Sequence, residues 1–122
     1  MSLRILAVDA SLTTREMLRQ TLTEAGFAVT LAEDGLDALN RLTDAPPDLV
    51  LTELILPRLD GFGLIAAIRN GSVASGVPIV VLTADCTPGA WDRARSAGTN
   101  GIIAKPFDEA ALVAKIRRLA AG

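Results

Sequence analysis

The sequence predicts an α/β domain in which five parallel strands alternate with five helices that cover both faces of the sheet. Three observations carry this reading. First, Leu49-Val50-Leu51 and the run from Pro78 to Leu82 are apolar without interruption, as in strands buried on both sides. Second, stretches with helical apolar spacing lie between such runs, joined by short connections. Regular alternation of this kind implies a parallel sheet covered by helices on both faces. Third, capping and turn residues fall at the joints.

Leu3 to Val8 reads as the first strand, ending at Asp9. Ser11 is a good N-cap, and Leu18, Leu22 and Ala25 form one apolar stripe on the helix that follows. Gly26 sits where a helix is terminated by a left-handed residue. Phe27 to Ala32 is a second short strand. Asp34 or Gly35 opens a short helix with Leu39 and Leu42 facing inward, and Ala45-Pro46-Pro47 ends it, because a residue before proline avoids the α region. The third strand is Leu49 to Thr52 or Glu53. Pro57 and Asp60-Gly61 then mark a loop, and a helix runs from about Gly61 to Arg69 with Ile65 and Ile68 as core positions. After a turn-rich stretch from Asn70 to Gly76, the fourth strand ends at Thr83-Ala84-Asp85. Thr87-Pro88 is an N-cap followed by proline at the first helical position, and this helix stops at Gly98. Ile102 to Ala104 is the fifth strand, ending at Lys105-Pro106. Asp108 caps the last helix, whose stripe is Leu112, Ile116 and Leu119, with Lys115, Arg117 and Arg118 in its last turns, where cations suit the dipole.

A chain of 122 residues fits one domain spanning 1–122. At that size roughly two-thirds of the unfolded surface is buried, enough for a stable core. Twelve basic and fourteen acidic residues give a net charge of −2, which argues against nucleic-acid binding by this domain, since phosphate contacts need concentrated Lys and Arg. Cys86 is the only cysteine, so an internal disulfide is ruled out and a reducing, cytoplasmic setting is expected. No signal peptide is apparent, and no apolar run approaches the ~18 residues of a membrane span. Histidine is absent, so a mechanism that needs histidine as base, phosphodonor or ligand is excluded.

Asp9, Glu53, Thr83 and Lys105 each fall at the carboxyl end of a predicted strand, the edge where ligands bind in open α/β sheets. If those strands are neighbours, two carboxylates, a hydroxyl and an ammonium converge on one crevice and form a set able to bind a metal and a phosphoryl group. Taken singly, each has a plainer reading. A strand-end Asp is more often a helix cap, Thr83 a β-branched strand residue, and Lys105 a solvated loop charge. The coincidence of all four favours a site.

In order and spacing, Ile5-Leu6-Ala7-Val8-Asp9, Pro47-Asp48-Leu49-Val50-Leu51, Pro57-Arg58-Leu59-Asp60-Gly61, Pro78-Ile79-Val80-Val81-Leu82-Thr83-Ala84, Ala97-Gly98 and Lys105-Pro106-Phe107 resemble the receiver domain of two-component response regulators. The resemblance runs from Ile5 to Leu119. It implies a chemotaxis-type, flavodoxin-like fold with strand order 2-1-3-4-5, in which a strand-3 Asp accepts a phosphoryl group from a histidine kinase or phosphotransfer protein. It further implies Mg2+ held by that Asp, by an acidic pair after strand 1 and by a main-chain carbonyl two residues past the acceptor. A Thr and a Lys contacting the phosphoryl group, a cis Lys105-Pro106 bond and a switch aromatic on strand 5 complete the implied pattern.

This chain departs from that pattern in three places. Glu53 stands at the acceptor position, the acidic pair is Asp9-Ala10, and Ile102 replaces the switch aromatic, whereas Thr83 and Lys105 match and the carbonyl falls to Ile55. The extra methylene displaces the carboxylate, and a ~1 Å error in in-line transfer costs up to ~10²-fold. Loss of one carboxylate weakens a Mg2+ site without forbidding it. Glu53 is long enough to reach Lys105, an attraction of ~4 kcal/mol at ~4 Å and an effective dielectric of ~20, before desolvation that erases most of it. The expectation is therefore a degenerate receiver: not an enzyme, inefficiently phosphorylated, with Mg2+ weak or absent and Glu53 partly imitating a phosphorylated acceptor. Coupling between Thr83 and position 102 is expected to be absent or altered.

Trp91 lies on the flank of its helix if Ala90, Ala94 and Ala97 point inward. It is expected either to fold over the alanines or to mark, with Ile102 among Arg93, Arg95 and Lys115, a helix 4–strand 5–helix 5 face that docks a protein partner or a second receiver. Two other readings stand beside this one. The first is a conventional phospho-accepting receiver. The second, remote, is a small haloacid-dehalogenase-type phosphatase, suggested by Asp9-Ala10-Ser11-Leu12-Thr13 but lacking the second Asp.

Overall fold

The computed structural model describes residues 2–121. Elements alternate as β1 (Arg4–Val8), α1 (Leu12–Glu24), β2 (Ala28–Ala32), α2 (Gly35–Asp44), β3 (Leu49–Thr52), α3 (Gly61–Asn70), β4 (Ile79–Thr83), α4 (Pro88–Ala97), β5 (Gly101–Ala104) and α5 (Glu109–Ala121). The strands form one parallel sheet in the order β2-β1-β3-β4-β5. This is the doubly wound, flavodoxin-like topology that the sequence implies.

The sheet separates two cores because successive strand residues point to opposite faces. Ile5 and Ala7 of β1, Leu49 and Leu51 of β3, and Val80 and Leu82 of β4 meet Leu18 and Leu22 of α1 and Leu112 and Ile116 of α5. Leu6, Val8, Val50, Ile79 and Val81 meet Ala38 and Leu42 of α2, Leu64, Ile65 and Ile68 of α3, and Ala94 of α4. The central strands are therefore apolar on both faces. β2 lies at the sheet edge, and its burial is correspondingly interrupted.

Strand limits differ from expectation by single residues. The Phe27 amide donates to the Leu22 carbonyl at 3.0 Å and so belongs to the end of α1, not to the β2 ladder. Pro78 has no amide to donate and contributes only its carbonyl, to Val50 N at 2.9 Å. β1 begins at Arg4 instead of Leu3, and β5 takes in Gly101, paired with Val80. The caps fall where the sequence puts them. Ser11, Asp34 and Thr87 each accept from a first-turn amide of their helix, and Gly26 and Gly98 are left-handed, at φ 95° and 115°. The Lys105-Pro106 bond is cis.

Two features bring the carboxyl edge together. A Cβ on Gly61 would overlap the Glu53 carbonyl and the Leu54 Cα, so only glycine lets α3 start this close to the end of β3. The Gly61 amide completes the closure by donating to the Leu54 carbonyl at 2.8 Å. On the other side of the loop, Arg58 is held at φ 66° and its guanidinium reaches the buried Asp34 carboxylate at 2.7 Å. This staple from the β3–α3 loop to the N-terminus of α2 has no signature in the sequence.

Candidate functional site

Adjacent positions of β1, β3 and β4 in the sheet bring their carboxyl ends side by side, with Glu53 one residue beyond β3 and Asp9 one beyond β1. Both acids are buried, at 4% exposure for Asp9 and 6% for Glu53. Between them sits the Lys105 ammonium, which donates to Asp9 Oδ2 at 2.7 Å and to Glu53 Oε2 at 2.8 Å. The expected convergence of Asp9, Glu53 and Lys105 is thus present, and the long Glu side chain does span to the lysine.

Main-chain amides hold the remaining carboxylate oxygens. Glu53 Oε1 accepts from Leu54 N at 2.7 Å and Ile55 N at 3.3 Å. Asp9 Oδ1 accepts from Ser11 N at 2.9 Å. Burial alone would push the Glu53 carboxyl up. The Lys105 ammonium, the Thr83 hydroxyl and the Leu54 amide together outweigh it and leave the group below its ordinary range. Burial would likewise lower the Lys105 ammonium, but bonds to Asp9 and Glu53 raise it overall. Glu53 and Lys105 are therefore both charged at neutral pH.

Thr83 is fully buried at the end of β4, where its hydroxyl accepts from Asp85 N at 3.1 Å. Arg15, which the sequence did not single out, donates to the Asp9 carbonyl at 2.7 Å and fixes that corner from α1. Ile55 projects its side chain into solvent at 68% exposure. Ile102 packs, partly buried, against the core under α3 and α4, away from the charged cluster.

The chain matches the family model for the response regulator receiver domain over residues 5–117. This chain belongs to that family. Among curated relatives, response regulator MprA of Mycobacterium bovis is 37% identical over 119 residues, which is 98% of this chain and 51% of the relative. The chain thus spans about half the length of the curated relatives it matches. Among solved structures, chemotaxis protein CheY4 of Vibrio cholerae superposes with a TM-score of 0.92 at 31% identity, covering 98% of this chain and 99% of that one. The receiver domain of sensor histidine kinase PA1611 from Pseudomonas aeruginosa, solved with a magnesium ion coordinated in the active site cleft, gives 0.93 at 30% identity with both chains fully covered. Membership of the receiver family displaces the phosphatase reading.

The residues of this receiver do not fit Mg2+ as they stand. Among the described residues no three His, Cys, Asp or Glu side chains are grouped to hold a metal ion. Each carboxylate oxygen of Asp9 and Glu53 already accepts a hydrogen bond, and the two that face each other share one ammonium. A hard dication asks for near-octahedral oxygen, and here it would meet a fixed cation first.

In the first turn of α4, Trp91 is half-buried. Its indole N–H donates to the Asp85 carbonyl at 3.0 Å, and the Arg95 guanidinium lies 5.8 Å from its ring centre. With Arg95, Ile102 and Lys115 it lines a cavity of about 300 Å³ between α4, β5 and α5. Arg93 is not part of that group, because its guanidinium stacks on Phe62 of α3 at 4.0 Å. Ala94 is fully buried and Ala90 and Ala97 partly so, which gives the inward stripe the sequence implies.

Proposed function

We propose that this chain is a single receiver domain of two-component signalling that works as a phosphorylation-independent, or at most weakly phosphorylated, cytoplasmic docking and regulatory module, with no reaction of its own. The observation that carries this reading is the closed cluster Asp9–Lys105–Glu53. The lysine that would contact an incoming phosphoryl group is already committed to two carboxylates. The group at the acceptor position is itself bonded to that lysine and to two amides, so it partly imitates the modified state. An acyl phosphate carries more charge and three more oxygens, so the imitation is incomplete. Mg2+ binding, through Asp9, Glu53 and the Ile55 carbonyl, is weak in this reading because Lys105 must first leave both carboxylates.

Incubation with acetyl phosphate and Mg2+, followed by intact mass, tests it. The expected result is no stoichiometric adduct. A full adduct on Glu53 would instead support a conventional receiver controlled by a histidine kinase or phosphotransfer protein.

The partner surface we assign is the α4–β5–α5 face around Trp91 and Ile102, for a protein partner or a second receiver and not for nucleic acid. An aromatic ring beside Arg95 is the composition of a binding hot spot. Trp91→Ala should abolish any self-association seen by sedimentation while leaving the charged cluster unchanged. A dimer that persists in Trp91→Ala would move the docking surface elsewhere.

A further inference from the structure

In the Asp9–Lys105–Glu53 cluster one cation already holds the oxygens that a second would need. Asp9 Oδ2 and Glu53 Oε2 are the oxygens that face each other across the cleft, and the same ammonium takes both, at 2.7 and 2.8 Å. The lysine side chain is only 20% exposed, and its two short contacts hold it between the acids. Ala10, beside Asp9, offers no third acid that could hold a metal while the lysine stays.

We propose that Lys105 is the resident cation of this cleft, and that a divalent ion and the Lys105 bridge exclude one another. This goes deeper into the reading above without depending on whether Glu53 is ever phosphorylated. With Lys105 in place the three groups sum to one negative charge. With Lys105 removed, two buried carboxylates remain and the cleft becomes a latent divalent-cation site. Its natural ligands are hard dications held by oxygen, Mg2+ or Mn2+. The domain's pocket is thereby set by its own side chain instead of by the metal content of its surroundings.

Mn2+ alone is the probe, titrated into the parent and into Lys105→Ala, with binding read by calorimetry and by melting temperature. The variant should bind at least about tenfold more tightly than the parent, which is about 1.4 kcal/mol. Equal affinity in the two folded proteins overturns the proposal. Should Lys105→Ala fold only when Mn2+ is added, that rescue is itself the gain expected.

Should the variant not fold under either condition, the parent decides through its lysines. Lys105 and Lys115 are the only two in the chain, so amine acylation mapped by mass reports one against the other. Lys105 should label more slowly than Lys115, and should become reactive only at Mn2+ concentrations that bind. An absence of Mn2+ binding with Lys105 protected agrees with exclusion. Saturable Mn2+ binding while Lys105 stays protected overturns it. An acyl phosphate on Glu53 would remove the phosphorylation-independent reading and leave this competition standing, so the two claims fail separately.

Discussion

Glu53→Gln isolates the charge at the centre of the site with little change of shape. The amide oxygen can still accept from Leu54 and Ile55, at the 2.7 and 3.3 Å now seen. The amide NH2 then faces the Lys105 ammonium across 2.8 Å, donor against donor. One charge-assisted hydrogen bond is lost, a contribution of about 1.5–3 kcal/mol, partly offset because a neutral group costs less to bury. A net loss of about 2 kcal/mol at neutral pH follows, or roughly 6–10 °C in Tm for a domain between the size classes for which slopes are known.

The pH dependence has a definite sign. The folded Glu53 carboxyl titrates below its ordinary value of 4.5, so its contribution is fully present above that value and is lost as pH falls through the folded pKa. The gap between parent and Glu53→Gln should therefore be widest near neutrality and narrow below pH 4.5. Urea unfolding across that range measures it. A variant as stable as the parent at neutral pH, or a gap that persists unchanged in acid, would refute the assignment of a charged Glu53 locked to Lys105.

Two further outcomes follow from the same geometry. Ala10→Asp with Glu53→Asp restores both acids of the receiver pattern, withdraws the carboxylate from Lys105, and should raise the rate of adduct formation with acetyl phosphate by about 10²-fold or more, read by intact mass. Gly61→Ala drives a methyl into the Glu53 carbonyl and Leu54 Cα, so a loss of about 2 kcal/mol or more is expected in urea unfolding, with a disturbed Glu53 position visible in amide chemical shifts.

Much of this was legible because local rules and the global fold agree. Ser11, Asp34 and Thr87 cap helices as their residue types prefer, and uninterrupted apolar runs marked β3 and β4 as central strands. Asp9, Glu53 and Lys105 could be placed together because each ends a strand of one parallel sheet. What was hidden depends on side-chain direction. Arg15 reaching the Asp9 carbonyl, Arg58 stapling the loop to Asp34, and Arg93 turning to Phe62 instead of joining Trp91 are rotamer choices of long side chains. Residue spacing gives no hint of them. The indole of Trp91 was the same kind of problem: half-buried and tied to Asp85, it is neither a core plug nor a free surface ring.

Left-handed Gly98 closes α4 beside a second basic side chain, Arg69 near the end of α3. Its guanidinium donates to the carbonyls of Gly98, Ser75 and Val77 and to Asn100 Oδ1, while Asn100 also pairs with both main-chain groups of Ile79. One cation thus rivets the tail of α4 to the mouth of β4. The head of that helix, at Thr87-Pro88, hangs from a single loop that begins at Thr83. A displacement of this helix is therefore expected to pivot about Gly98 and to travel further at Thr87-Pro88.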